Sequence, residues 1–138
     1  MNDKNIIRSL IEEHQMEPHP EGGHYVEVFR NKDVSHIYFL LEDHEKSHWH
    51  RITKNETLHF YSGNPIKIFT SKDGKDFQIN EIGSKNNFMF SVESGTWFAL
   101  KSTGSYSLIG CTVAPAFEFS DLEIAAVNWK PSKFDIEL

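Results

Sequence analysis

The sequence predicts an antiparallel all-β fold, a sandwich or a barrel, preceded by one short helix. Short apolar or alternating segments recur at regular intervals between turn residues, as they do in such folds. Aromatic residues make up 13% of the 138 residues, a composition that favours strands over helices. No later segment offers the repeated helical crossovers that a parallel sheet would need. We expect a single domain over residues 1–138.

The helix is predicted over residues 5–14. Its apolar residues lie on one face: Ile6, Ile7, Leu10 and Ile11. Asn2 or Asp3 is the expected N-cap, because a short side-chain oxygen can accept from the first free backbone N–H groups. Pro18 and Pro20 prevent the helix from continuing, since proline lacks the required N–H.

Nine strands are predicted after the helix, each bounded by turn residues such as Asn, Asp, Gly, Pro and Ser. They are His24–Phe29, Ser35–Leu41, Ser47–Arg51, Thr57–Tyr61, Ile66–Ser71, Asp76–Ile82, Asn87–Val92, Thr96–Leu100 and Tyr106–Val113. The C-terminal part is open to two interpretations. Residues 120–123 match a capping box that would begin a helix through Val127, whereas residues 117–119 alternate like a strand.

Composition and charge exclude several function classes. The net charge is −6, which argues against nucleic acid because phosphate binding depends on clustered lysine and arginine. The chain has one cysteine, so an intrachain disulfide is impossible and a buried, inert thiol is the expected state of Cys111. No apolar run approaches the length of a membrane span. We therefore expect a cytoplasmic protein with no nucleic-acid or membrane partner.

The histidines mark where side-chain chemistry is expected. All eight lie between positions 14 and 59. In His48-Trp49-His50 the two imidazoles are two residues apart, so on a regular strand both point to the same face. Glu56 follows shortly after. Two imidazoles and a carboxylate suit an octahedral divalent metal and equally suit a proton-transfer pocket.

This pattern resembles the first motif of the cupin superfamily: His-x-His, a short gap, Glu and, after six intervening residues, Gly63. More of the chain resembles the small Cupin_5 proteins, over residues 18–119. The matching segments are Pro18-His19-Pro20-Glu21-Gly22-Gly23-His24-Tyr25, residues 37–41, Ser47 with His50-Arg51, Glu56 with residues 59–63, residues 95–98, residues 110–115, and Phe117 with Phe119. The resemblance implies a double-stranded β-helix, or jelly-roll, barrel with a ligand cavity in its mouth, and a homodimer. It implies no particular reaction.

Two departures from the general cupin pattern change the set of metal ligands that the chain can offer. Five residues separate His50 from Glu56, where the pattern has three or four. The second motif normally supplies a further metal-binding histidine after its glycine, but Gly95 is followed by Thr96-Trp97-Phe98, and no histidine lies beyond His59. The metal ligands that the sequence offers are His48, His50 and Glu56, with His59 as a fourth.

The expected proton-transfer residues are His50, Glu56, His59 and Tyr61. His50 or His59 would act as the base, with Glu56 orienting it or Tyr61 as the acid. On a regular strand Glu56 points to one face while His59 and Tyr61 point to the other. All of them reach one cavity only through a bulge or from the end of the strand.

Ligand-binding side chains are expected around the same cavity. They are Glu21, Tyr25, Arg51, Trp97 and Phe98, since small-molecule pockets combine apolar walls with a few polar groups.

Three functions fit these residues. The first is a small-molecule-binding protein, with an isomerase or epimerase as its catalytic form. It would act on a sugar, a nucleotide-sugar or a small organic acid and need no obligatory cofactor. The second is an oxygenase or isomerase that uses iron, manganese, nickel or zinc at His48, His50 and Glu56. The third is a ligand-binding or sensor domain without turnover.

Overall fold

The computed structural model describes residues 2–85 and 87–138. The chain begins with helix α1 (Asp3–Glu13), whose N-cap is Asn2. The Asn2 side-chain oxygen accepts from the backbone N–H of Asn5 at 2.9 Å, which confirms one of the two expected caps. The helix buries Ile7 against the outer face of a sheet, alongside Leu40 and Tyr106.

Eleven strands follow in the described residues: β1 (Glu17–Pro18), β2 (His24–Arg30), β3 (Ser35–Glu42), β4 (Ser47–Ile52), β5 (Asn55–Gly63), β6 (Ile66–Ser71), β7 (Gln78–Ile82), β8 (Met89–Val92), β9 (Trp97–Ser102), β10 (Tyr106–Ala114) and β11 (Leu122–Ile124). The first sheet has the order β1-β2-β3-β10-β5-β8 and the second has the order β11-β4-β9-β6-β7. Every pairing between these strands is antiparallel. The two sheets form a jelly-roll barrel, as predicted.

The space between the sheets is apolar at one end and polar at the other. Its central cluster includes Phe39, Leu58, Ile68, Phe98 and Ile109, all almost completely buried. These side chains fill the barrel interior, so the ligand-sized space is confined to the end where β2, β4 and β5 bring charged groups inward.

The C-terminal region contains no α-helix. A 3-10 turn at Phe119–Asp121 leads into β11, which pairs with β4. Of the two interpretations that the sequence left open, the helix through Val127 is therefore wrong, and residues 117–119 do not form a strand either. The Asp121 carboxylate accepts from the backbone N–H of Glu118 at 2.9 Å, so a capping box forms two residues earlier than predicted and closes only this short turn. Beyond β11, Phe134 packs on Trp49 at the outer face of the second sheet.

Within the described residues, no helix has the length and apolar character required to cross a membrane.

Candidate functional site at the open end of the barrel

A cavity of about 320 Å³ opens between the two sheets. Its apolar wall comes from both sheets and from the segment that follows β10. The wall residues include Ile37, Ile52, Leu100, Val113, Phe117 and Leu122. Its ionisable groups include Glu21, His50, Glu56 and Cys111, and Glu17, Glu27 and Arg30 also line it. An apolar enclosure with a few convergent polar groups is the usual form of a small-molecule site.

Glu21 reaches the cavity from the turn before β2. The turn passes through Gly22 and Gly23, which have φ angles of +112° and +81°, a region that glycine adopts more readily than other residues. A Cβ on Gly22 would lie 2.0 Å from the carbonyl oxygen of Lys46. This close approach brings the turn against the start of β4, where the backbone N–H of His48 donates to the carbonyl of Glu21 at 2.9 Å.

His50 reaches the same point because β4 is irregular. Ser47 pairs with Leu100 and His50 with Phe98, so three steps along β4 match two along β9. This is the arrangement of a β-bulge, and it turns Ser47 and His50 to the same, inward face. The Ser47 hydroxyl donates to Glu21 Oε1 at 2.8 Å, and His50 Nε2 lies 2.9 Å from Glu21 Oε2.

The hydrogen bonds of His50 fix its protonation pattern. His50 Nδ1 lies 2.6 Å from the carbonyl oxygen of His48, and a carbonyl can only accept, so Nδ1 carries a proton. A second proton must lie between Nε2 and Glu21. Burial alone raises the pKa of Glu21, but the charge and hydrogen bond of His50 outweigh burial and leave that pKa below its ordinary value. Burial lowers the pKa of His50, but Glu21, together with the charge of Glu56 and the hydrogen bond to the His48 carbonyl, outweighs burial and raises that pKa. The pair is therefore an imidazolium and a carboxylate.

Glu56 is a second buried carboxyl group in the cavity, and it titrates near neutrality. Burial, followed by the negative charge of Glu21, raises the pKa of Glu56 to about 7, while His50 and a hydrogen bond from Cys111 act in the opposite direction. Burial, with the nearby charges of Glu56 and Glu21, raises the pKa of the Cys111 thiol well above its ordinary value. Cys111 therefore stays a neutral thiol against Glu56.

His19 also lines the cavity, although no specific role was predicted for it. The backbone N–H of Glu21 donates to His19 Nδ1 at 3.1 Å, so Nδ1 is unprotonated and the ring is neutral with its proton on Nε2. Burial lowers the pKa of His19, with Glu21 opposing and His50 adding to the effect. The signal available in the sequence was the position of His19 two residues before Glu21, in the turn motif itself.

The structure brings only part of the predicted proton-transfer set together. His50 and Glu56 line the cavity. His59 and Tyr61 lie on the outer face of the first sheet. His59 Nε2 contacts the Thr112 hydroxyl at 3.2 Å, and the Tyr61 hydroxyl contacts His36 Nε2 at 2.8 Å. The cause is the regular alternation at the start of β5, which points Glu56 inward and His59 outward.

The expected ligand-binding residues also divide between two surfaces. Glu21 and Tyr25 line the cavity. Phe98 lies behind it, with its ring 4.0 Å from the ring of His50. Arg51 stacks over Trp97 at 4.3 Å and contacts Glu123 at 2.8 Å, on the outer face of the second sheet. The alternation of β4 and β9 places these two side chains opposite the inward His50 and Phe98.

The predicted metal set does not assemble in the cavity. The bulge directs His48 outward, where its Nε2 contacts the carbonyl oxygen of Ala126 at 3.0 Å. His50 has a proton on Nδ1 and shares the other with Glu21, so it offers no free lone pair in this arrangement. Across residues 2–85 and 87–138, the one group of three such side chains with ligand atoms within 4.8 Å of one another is His24, Glu42 and Glu45. The residues present in the cavity do not fit a cupin metal centre.

Comparison with known proteins identifies relatives of this fold. The family model described as "Cupin superfamily (DUF985)", Cupin_5, matches residues 8–125. The comparison with curated proteins finds no match. A protein of known structure from Shewanella oneidensis is 29% identical, with a TM-score of 0.82 over 91% of this chain and 85% of that one.

Two further solved structures extend the comparison. A hypothetical protein from Leishmania major is 28% identical, with a TM-score of 0.77 over 86% of each chain. Oxalate decarboxylase from Bacillus subtilis is 10% identical, with a TM-score of 0.66 over 78% of this chain and 29% of that chain. The last similarity concerns the fold alone. The match to the family model confirms the predicted family, and the similarity to the solved structures supports the jelly-roll architecture.

Proposed function

Because the chain belongs to the Cupin_5 family of the cupin superfamily, we propose that it binds a small, uncharged polar molecule in its barrel cavity and transfers a proton to or from it. The observation that carries this proposal is the convergence of Glu21, His50 and Glu56 in the wall of one enclosed space. A paired carboxylate and imidazolium beside a titratable carboxyl is an arrangement typical of acid–base sites.

The size of the cavity limits the ligand. A volume of about 320 Å³ corresponds to roughly ten water molecules at about 30 Å³ each. A monosaccharide or a molecule of similar size fits this space. A nucleotide-sugar would have to extend well beyond it.

The charges around the cavity favour an uncharged ligand over an anion. Both cationic side chains that line it are already paired. Arg30 contacts Glu27 at 2.9 Å and Glu118 at 3.3 Å and also donates to the carbonyl of Phe117, and His50 is paired with Glu21. A carboxylate or phosphate would therefore enter a space containing several carboxyl groups without a free cation to receive it. Of the three substrate classes that the sequence left open, sugars agree best with this electrostatic environment.

Glu56 is the residue proposed to exchange the proton. Its pKa of about 7 lies where a group can both accept and return a proton at neutral pH. Neither nitrogen of His50 is available, because both of its protons are held by the protein. His50 is therefore a positioning residue: it fixes the Glu21 charge that helps to raise the pKa of Glu56.

The reaction that these groups support is isomerisation or epimerisation. The Glu56 carboxylate would take a proton from the carbon next to a carbonyl group, and the electron pair of that C–H bond would move towards the carbonyl oxygen. Return of the proton to the former carbonyl carbon, with transfer of the neighbouring hydroxyl proton to the carbonyl oxygen, gives isomerisation. Its return to the opposite face of the same carbon gives epimerisation, and neither reaction needs an oxidant or a reductant.

Hydrogen exchange with the solvent tests this proposal directly. The full chain is incubated in D₂O with a panel of aldoses and ketoses, and deuterium incorporation at carbon is followed by NMR. We expect at least one sugar to exchange, and we expect Glu56→Gln to lose that exchange at least a hundredfold. Glu93→Gln is the matched control, because that side chain is 78% exposed and lies outside the cavity.

The possible outcomes separate the functions. Exchange in the wild type that disappears only in Glu56→Gln supports proton transfer. Sugar binding detected by calorimetry without exchange would indicate a binding domain without turnover. Neither binding nor exchange across the panel would refute the proposal.

A further inference from the structure

Three side chains of the kind that bind divalent metals meet outside the cavity: His24, Glu42 and Glu45. His24 on β2 pairs with Leu40 on β3, and Leu40 packs under helix α1 on the outer face of the first sheet. Glu42 lies two residues beyond Leu40 and therefore on the same face. Because Tyr25 lines the cavity, its neighbour His24 points away from it.

Glu45 is held towards His24 by the turn between β3 and β4. The backbone N–H of Glu42 donates to Glu45 Oε1 at 3.0 Å, and the backbone N–H of Glu45 donates to the carbonyl of Glu42 at 3.1 Å. Lys101 Nζ donates to the carbonyl oxygens of Asp43 and Glu45 at 2.6 and 2.7 Å. The turn is therefore tied down from two sides, and the second oxygen of Glu45, Oε2, lies 3.9 Å from His24 Nδ1.

The histidine nitrogen is the unusual feature of this cluster. His24 Nδ1 is inaccessible to solvent and has no hydrogen-bond partner in the described part of the chain. Leaving a buried polar atom unpaired costs about 1–3 kcal/mol, so such an atom calls for an explanation. A separation of 3.9 Å from Glu45 Oε2 is too long for a hydrogen bond. Zinc lies about 2.0–2.2 Å from nitrogen and oxygen ligands, which puts two tetrahedral ligand atoms about 3.4 Å apart, so a shift of about 0.5 Å would let both atoms bind one ion.

We propose that His24, Glu42 and Glu45 form a binding site for a divalent transition-metal ion of the zinc class. One imidazole and two carboxylates provide three protein ligands, and water would complete a tetrahedral shell. The ion would also neutralise two adjacent carboxylates. Calcium and magnesium fit less well, because they prefer oxygen ligands alone.

The position of this site gives it a structural role. The ion would join the start of β2 to the turn before β4, next to the two segments that carry Glu21 and His50. These segments already touch where the backbone of Gly22 meets the carbonyl of Lys46. The ion would hold this contact closed from the outer face, separately from any chemistry inside the cavity.

Zinc titration of the metal-free full chain tests the proposal. We expect calorimetry to detect one equivalent of zinc with micromolar or tighter affinity, together with a rise in Tm. We expect His24→Asn and Glu45→Gln each to weaken binding at least tenfold. The Gln variant keeps an oxygen that can accept from the backbone N–H of Glu42, so the turn is preserved.

Two controls locate the ion. His44→Asn changes a histidine on the same turn whose side chain is 69% exposed, and it should bind zinc like the wild type. Glu56→Gln changes the cavity and should also keep the site. Cobalt provides a second measurement, because ligand binding alters its visible absorption in a folded protein.

Three results would overturn the proposal. The first is no stoichiometric zinc binding by the wild type at 100 μM metal, a concentration about a hundredfold above a micromolar Kd. The second is binding that survives both His24→Asn and Glu45→Gln. The third is binding that is lost in Glu56→Gln but retained in His24→Asn, which would locate the ion in the cavity.

Discussion

Replacing Glu56 by glutamine should change how the stability of this protein depends on pH. In the folded protein the pKa of Glu56 is raised from its ordinary value of 4.5 to about 7. Between these two values the folded state binds more protons at this position than the unfolded state does. The free energy of unfolding therefore falls as pH rises from about 4.5 to about 7, and the Glu56 contribution is constant above that range.

The magnitude follows from the size of the pKa change. Each unit of pKa difference corresponds to about 1.4 kcal/mol. The shift from 4.5 to about 7 therefore corresponds to a loss of up to about 3 kcal/mol. Glutamine has nearly the shape of the protonated acid and cannot ionise. We expect Glu56→Gln to match the wild type near pH 4 and to be more stable than it by up to about 3 kcal/mol at pH 8.

Urea denaturation at a series of pH values measures this difference. Comparison between variants is necessary because other groups titrate as well. The raised pKa of His50 means that its pairing with Glu21 stabilises the fold fully below the unfolded pKa and is lost as pH rises through the folded pKa. Glu93→Gln, at an exposed position, controls for the removal of one negative charge. A stability difference between Glu56→Gln and the wild type that is independent of pH would refute the reasoning.

Two further predictions concern the backbone and the ion pair of the cavity. Gly22→Ala should destabilise the fold by at least about 2 kcal/mol in urea denaturation, because a Cβ there lies 2.0 Å from a backbone carbonyl oxygen and φ is +112°. A change below about 0.5 kcal/mol would contradict the close approach. His50→Gln should lower stability by about 3–5 kcal/mol at pH 7, since Glu21 would remain buried without its cation. His48→Gln should lower stability by less than about 1 kcal/mol, because the Nε2 of His48 contacts an exposed carbonyl. Equal losses of stability in His50→Gln and His48→Gln would contradict the assigned orientations of the two histidines.

Much of the fold could be predicted from local patterns in the sequence. All nine predicted strands are present, with boundaries within two residues of the prediction, because alternation and turn residues specify both a strand and its ends. The strands that were missed, β1 and β11, have two and three residues. Segments of that length carry no periodic signal, and the partner of β11, strand β4, lies far back along the chain. The predicted capping box at residues 120–123 does not form; Glu118 and Asp121 form one instead, and it stabilises one 3-10 turn rather than the start of an α-helix.

The site was predictable only where the backbone remains regular. Glu56 follows the alternation of β5, so its separation from His59 could be anticipated. The opposite orientations of the His48 and His50 side chains could not be anticipated, because they depend on a bulge that appears only when β4 is paired with β9. The rule that residues two apart share a face holds for a regular strand, and one extra residue reverses it.

The same bulge is the reason that we propose acid–base chemistry rather than metal binding for this cavity. On a regular β4 both imidazoles would point to the same face. The bulge instead replaces one of them by Ser47, whose hydroxyl donates to Glu21, and it supplies the His48 carbonyl that takes the Nδ1 proton of His50. The Glu21 carboxylate then accepts a hydrogen bond from the other ring nitrogen of His50, Nε2. Two hydrogen bonds to Glu21 make its negative charge permanent near neutrality, and that charge adds to burial in raising the pKa of Glu56. The irregular backbone thus removes the ligands that a metal would need and leaves one carboxyl group free to exchange a proton.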